Sequence, residues 1–163
     1  MSAHPTSDKQ RVATLPIRQA SAEDAVVIAG LLHEFNGEFD VASPGVPALT
    51  SRLESLLAER STICYLSRCA LGVALVTRRP NVWSEGPVDL LDELYVVPQY
   101  RGLGIGGALI TRLVADARDA GVSVIEINVD EADVDAQRFY ERHGFTGRHG
   151  PSSERAFYFS QEL

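Results

Sequence analysis

Two stretches of this sequence carry residue types that could do chemistry. The first is VVPQYRGLGIGG (96–107), where Gly102, Gly104, Gly106 and Gly107 fall within six positions and Arg101 stands just before them. An apolar run precedes the stretch and a helical pattern follows it. A helix start offers unpaired N–H groups and the positive end of the helix dipole, and glycines let an anion approach closely. Strand, glycine loop and helix therefore make a natural phosphate cradle; the plain structural alternative is a compact corner. The second stretch is Asp92-Glu93, inside VDLLDELYVV (88–97). Burying an unpartnered carboxylate among Leu and Val is costly. Either an Arg across the sheet pairs with it, or it faces a polar cavity and is available as a base. Strand alternation places Asp92 with Leu94 and Val96, and Glu93 with Tyr95 and Val97. Asp89 is a third, weaker candidate in the same run.

The glycines match more than one pattern. A triphosphate-binding loop ends in G-K-[ST], and Gly106-Gly107-Ala108 supplies neither the Lys nor the hydroxyl. Gly102, Gly104 and Gly107 do spell G-x-G-x-x-G, with Glu126 or Asp130 about 20 residues beyond as the ribose-binding acid. Three features oppose a dinucleotide. The turn Pro98-Gln99-Tyr100-Arg101 separates the glycines from the strand. Four strands precede the motif, whereas it normally opens a fold. Only 56 residues follow Gly107, too few for the remaining parallel strands.

The elements that must position these residues are read from periodicity. TLPIRQ (14–19) alternates as a strand. Ser21 offers an N-cap with Asp24 as its partner. Ile28, Leu31, Leu32 and Phe35 form one helical face. FNGEFDVASPGVP (35–47) reads as a long loop. Leu53, Leu56 and Leu57 mark a second helix, roughly 49 to 60. TICYLSR (62–68) and GVALVTRR (72–79) form a hairpin, and residues 80 to 87 a loop. Residues 88 to 97 are apolar on both parities, as a central strand covered on both faces should be. A helix follows from Ile105 to Ala120, with Leu109, Ile110, Leu113, Val114 and Ala117 on one side and Gly121 as its cap. VSVIEINV (122–129) is a strand, Val134 to His143 a helix, and RAFYFSQEL (155–163) a closing strand. The fold class is mixed α/β. Residues 1 to 12 read as a disordered tail and 13 to 163 as a single domain.

The chain has 163 residues, 45% of them hydrophobic and 23% charged, with a net charge of −7. That balance fits one soluble domain and opposes nucleic acid or an anionic membrane as partner. It suits a cationic small molecule. No stretch is long enough to span a membrane, and the N-terminal residues lack the apolar core of a secretion signal. Cys64 and Cys69 do not make a metal pattern, so no metal is expected; they read as free thiols of a reducing cytoplasm.

VVPQYRGLGIGGALI resembles the acetyl-coenzyme A loop of the GNAT superfamily of N-acetyltransferases. The family motif [QR]-x-x-G-x-[GA] fits twice, from Gln99 through Gly102 to Gly104 and from Arg101 through Gly104 to Gly106. AQRFYERHGF (136–145) resembles the family's A-x-x-F-Y-x-x-x-G-F block, with Ala136, Phe139, Tyr140, Gly144 and Phe145 in place. The element order from 14 to 163 matches as well. The resemblance implies the acyl-CoA N-acyltransferase fold, a central mixed sheet flanked by about four helices, and acetyl-CoA as the cofactor.

It also implies a site. The N–H groups of Arg101, Gly102, Leu103, Gly104, Ile105, Gly106 and Gly107 would receive the pyrophosphate. Backbone of the preceding strand at Leu94, Val96 and Val97 would pair with the pantetheine arm as an added strand and polarise the thioester oxygen. An alkyl amine has a pKa near ~10.4, so only about one in 10³ is neutral at pH 7 and a base is needed. Asp92 and Glu93 are the candidates, and polyamine-type members carry acids at this point. Tyr140 matches the family's general acid, although Ala136, Phe139, Tyr140 and His143 also share a helical packing stripe. Asp133 stands where the family often has an Asn that bonds the arm; an ionised Asp accepts but does not donate. HEFNGEFD (33–40) would form the acceptor wall, with Glu34, Glu38 and Asp40 suiting a cationic amine. The implied function is acetyl transfer from acetyl-CoA to a primary amine of a small molecule. A protein N-terminus or Lys as acceptor, and an acyl-CoA-binding module without turnover, are the alternatives. A homodimer is compatible with the resemblance.

Overall fold

The computed structural model describes residues 16–147 and 159–161. Contacts divide the chain into two compact units, Met1–Asn128 and Val129–Leu163. The first unit runs β1 (Ile17–Gln19), α1 (Ala25–Glu38), α2 (Val46–Ala58), β2 (Thr62–Ser67), β3 (Gly72–Arg79), β4 (Val88–Val96), α3 (Ile105–Asp119) and β5 (Val124–Ile127). The second contains α4 (Val134–Arg142). The tail at 1 to 12 lies outside the described residues. So does most of the closing strand at 155 to 163; residues 159–161 are not in a strand.

The sheet order is β1-β2-β3-β4-β5, antiparallel except for the parallel pair β4 and β5. A parallel neighbour needs a crossover, and α3 supplies it. Ile28, Leu31 and Leu32 of α1 and Leu53 of α2 pack with Cys64, Leu66, Val73 and Tyr95 on one face of the sheet. Helix α2 covers that face with Val46, Leu49, Leu53 and Leu57, whereas Leu56 is exposed. Burying the Cys64 thiol here pushes its pKa up to about 12, so it stays protonated. Ile105, Leu109, Ile110, Leu113 and Ala117 are the buried stripe of α3, on the other face. That contact is close. A Cβ on Gly72 of β3 would stand 2.9 Å from the Ile105 Cγ2, which leaves room only for glycine beneath the first turn of α3.

Several boundaries differ from the periodic reading. Helix α1 continues to Glu38 because Gly37 is tolerated inside it, so the loop shrinks to residues 39 to 45. Helix α2 starts at Val46, with Pro47 in its first turn where a missing N–H costs nothing. The Ser21 backbone N–H donates to the Asp24 carboxylate at 2.9 Å, but the turn they begin is a 3-10 turn ahead of α1.

Strand β4 has one residue more than β3 can pair. Leu75 faces Glu93 and Val76 faces Leu91, so Asp92 is a β-bulge. Before the bulge, Asp89 shares a face with Arg78. Its carboxylate is fully buried and takes Nε at 2.7 Å and Nη2 at 2.8 Å. The Arg across the sheet therefore belongs to Asp89, which is a structural group and not a free base. Asp89→Ala is expected to destabilise the protein by about 3 kcal/mol, since the Arg78 guanidinium loses its partner. Urea denaturation checks this; an unchanged midpoint would show the pair to be neutral.

Candidate active site

The bulge overturns the alternation expected for Asp92 and Glu93. Thr77 and Leu75 of β3 lie on one face, opposite Leu90 and Glu93 respectively. Asp92 lies two residues past Leu90 and accepts the Thr77 hydroxyl at 2.7 Å. Both carboxylates therefore turn to the face covered by α1, where regular pairing would have separated them. Among the described residues Glu93 has no hydrogen-bond or ion-pair partner. Desolvation raises the Glu93 pKa, and the charge on Asp92 raises it further. Desolvation also raises Asp92, though part of its side chain reaches solvent; the Thr77 hydrogen bond opposes that rise.

The same point in β4 is where β5 leaves. The parallel pairing ends at Leu91 with Ile127. The Val97 N–H donates to the Leu71 carbonyl at 3.0 Å, so by antiparallel alternation Leu94 and Val96 direct their main-chain groups away from β3. Among the described residues no strand pairs with them there. Val97 differs from its expected role. Its N–H is engaged by Leu71, and its carbonyl accepts the Tyr100 N–H at 2.9 Å. It has no backbone group left for a strand-like ligand.

Beyond Val97 the chain makes a 3-10 turn and enters the glycine loop. Gly102 has φ +71° and Gly104 φ +87°, and Gly104 is the N-cap of α3. These left-handed angles cost a residue with a Cβ roughly 1–2 kcal/mol. Helix geometry leaves the N–H groups of Ile105, Gly106 and Gly107 without helical partners, while Ala108 already bonds Gly104. A Cβ on Gly102 would meet nothing within 4 Å, so space opens beside the loop. This donor set, with the open edge of β4, fits a pyrophosphate joined to an extended arm.

Arg101 departs from expectation. Its N–H bonds the Pro98 carbonyl at 3.2 Å. Its guanidinium turns back, with Nε on the Val96 carbonyl at 2.8 Å and Nη2 on Glu38 at 2.6 Å. The other Glu38 oxygen accepts the Tyr95 hydroxyl at 2.9 Å. Burial, and then this bond to Glu38, hold the phenol pKa up at about 12. The donors available to an anion are thus those after Arg101. Tyr95 and Thr77 were not singled out in the sequence, because each looks like an ordinary strand residue until its partner is known.

In the second unit, Asp133 accepts the Ala136 N–H at 2.9 Å and is the N-cap of α4. Tyr140 is half-buried, with ring contacts to Phe139 at 5.2 Å and Phe145 at 5.9 Å. Phe139 also contacts the His143 ring at 4.5 Å, and His143 bonds the Phe139 carbonyl through Nδ1 at 2.8 Å. Among the described residues, no helix is long and apolar enough to cross a membrane.

An unpaired strand edge beside a glycine-started helix suits the added-strand cofactor arm that the resemblance implies, and comparison with known proteins agrees on the family. Residues 29–145 match the sequence model of the acetyltransferase (GNAT) family, and the chain belongs to it. It is an N-acetyltransferase. It is 31% identical over 156 residues to the aminoglycoside N(6')-acetyltransferase type 1 of Stenotrophomonas maltophilia, covering 93% of this chain and 97% of that one. A crystal structure from Arthrobacter sp. FB24, assigned to the acetyltransferases, superposes with a TM-score of 0.84 at 43% identity, covering 91% of this chain and 96% of the other. An aminoglycoside acetyltransferase from an uncultured soil metagenomic sample, in complex with sisomicin, shares the fold with a TM-score of 0.76 at 20% identity, over 91% of this chain and 96% of that one.

The carboxylate pair gives a pH test. Asp92→Asn removes the like charge beside Glu93, so the acid limb of kcat/KM is expected to move to lower pH. The move should be only part of the way back to an ordinary carboxylate, because desolvation, the larger cause of the raised pKa, remains. An unmoved limb would show that Glu93 does not set it.

Proposed function

We propose that this enzyme transfers the acetyl group of acetyl-CoA to a primary amine of a cationic small molecule. The observation that carries the reading is the bulge at Asp92. It accompanies the parting of β4 from β5, and it turns two carboxylates to one face. An acyl carrier on the open edge and an ammonium beside Asp92 and Glu93 would then meet across a single strand. The aminoglycoside acetyltransferase relative supports a small, multiply charged amine as acceptor.

Acetyl-CoA supplies an activated thioester. The N–H groups of residues 102 to 107 would hold its pyrophosphate, and the main-chain groups of Leu94 with the N–H of Val96 its arm, the Val96 carbonyl being held by Arg101. A main-chain N–H on that edge would also stabilise negative charge developing on the thioester oxygen. Glu93, with a raised pKa and no partner among the described residues, would accept the proton of the incoming ammonium. Asp92 would hold the cation electrostatically while bonded to Thr77. Tyr140, from its place in the family's A-x-x-F-Y block, would protonate the departing thiolate. Acidic groups of the α1 end, Glu34 and Asp40, would add to the attraction for a cation.

A thiol-release assay across aminoglycosides, linear polyamines and peptides tests the acceptor. Turnover with the small amines is expected. Turnover confined to peptides would move the reading to protein acetylation, and coenzyme A binding without turnover to a binding module.

The cradle is tested by Gly104→Ala and Gly104→Glu. Both bear the same backbone strain, so their difference reports the longer, negatively charged side chain. Calorimetry should show a modest loss of coenzyme A affinity in the first and loss of measurable binding in the second. Equal affinities would remove the loop from the phosphate site. Tyr140→Phe should lower kcat by about 10²-fold or more, with coenzyme A affinity little changed. Full turnover would leave Tyr140 as packing.

A further inference from the structure

Glu38 ends α1, on the side expected to wall the acceptor, yet its contacts run to the other half of the site. One carboxylate oxygen accepts the Tyr95 hydroxyl at 2.9 Å, from the strand that parts from β5. The other accepts Arg101 Nη2 at 2.6 Å, from the residue that opens the glycine loop. The Arg101 guanidinium lies 5.6 Å from the centre of the Tyr95 ring, and its Nε is fixed to the Val96 carbonyl. Phe35, one turn earlier on α1, packs against the same Tyr95 ring at 5.3 Å. Three elements are therefore tied at one carboxylate.

We infer that Glu38 is a positioning residue that couples the acceptor wall to the coenzyme A cradle, resting on the proposed acetyl-CoA site. The carboxylate anchors Arg101 immediately before Gly102. Nothing else ties the Arg101 terminal nitrogens among the described residues. Gly102 and Gly104 have the most conformational freedom in the loop, so their N–H groups converge on an anion only if the loop entrance is fixed. Glu38 acts on the cradle through Arg101 and on the open edge of β4 through Tyr95. The short loop from Phe39 to Gly45 leaves α1 at this same residue, so a shift of the anchor moves the acceptor wall too.

The test is calorimetric titration of coenzyme A into the full chain, together with KM values for acetyl-CoA and the amine. The variants are Glu38→Ala, Glu38→Gln, Arg101→Ala and the double variant Glu38→Ala/Arg101→Ala. Glu38→Ala is expected to weaken coenzyme A binding about fivefold, the size of a partly exposed charged hydrogen bond. Glu38→Gln, which keeps an acceptor for Tyr95 or Arg101, should recover part of that. The double variant should lose less than the sum of the two single losses, exceeding Arg101→Ala by no more than the Tyr95→Phe loss, since the two substitutions share the Glu38–Arg101 link and only Glu38 holds Tyr95. Tyr95→Phe keeps the ring, removes one hydrogen bond, and should shift affinity in the same direction by less; it serves if Glu38→Ala does not fold. Unchanged coenzyme A affinity with a raised amine KM would overturn the inference and make Glu38 a direct acceptor contact. Additive losses in the double variant would overturn it as well. Failure of the unmutated protein to bind coenzyme A would instead overturn the proposed site.

Discussion

Between Leu91 and Glu93, β4 holds one residue that β3 does not pair, and the candidate site is organised about it. Up to that residue the strand is an ordinary central strand, bonded on both sides and buried on both faces. Past it, the strand keeps β3 but has lost β5. The bulge changes which way successive side chains point, so two adjacent carboxylates share a face instead of dividing between two. The price is desolvation of both carboxylates, which raises the pKa of Asp92 and of Glu93, with the charge on Asp92 raising Glu93 further. A group that resists ionisation in this way is better suited to take up a proton than one held by an ion pair. Asp89, three residues earlier, shows the contrast. It is fully buried, but Arg78 satisfies both of its oxygens.

The glycine loop depends on the same strand by a different route. Helix α3 can approach β3 closely because Gly72 offers no side chain, and Gly104 turns the chain into that helix with a left-handed angle. The first-turn N–H groups of Ile105, Gly106 and Gly107 are left without helical partners, and space opens beside Gly102. Arg101 contributes by fastening the loop entrance to Val96 and Glu38, not by reaching forward to an anion. A cation that looks like a phosphate ligand in the sequence is, in the fold, part of the frame behind the donors.

The glycine motif, the F-Y block, the helical stripes and the hairpin were legible in the sequence because each is a local pattern. A glycine spacing tells the conformations a loop can take, and a 3.6-residue stripe tells which side of a helix is buried. Errors fell where local pattern met tertiary pairing. Leu56 fitted a helical stripe and is exposed, because the face that α2 uses runs through Val46, Leu49, Leu53 and Leu57. The loop after α1 is shorter than its Gly and Pro content suggests, because a glycine inside a helix costs little once Phe35 packs against Tyr95.

What the sequence alone determined is the set of elements, their order and the family of chemistry they imply, since periodicity and motif spacing are properties of consecutive residues. What only the tertiary structure decided is direction. Asp92 and Glu93 share a face because β3 pairs around one of them. Arg101 and Glu38 meet across 63 positions of chain. Val97 loses its expected role because Leu71 and Tyr100 claim its backbone. Each outcome rests on which strand or side chain lies opposite, and that is fixed by packing the whole sheet and not by any run of neighbouring residues.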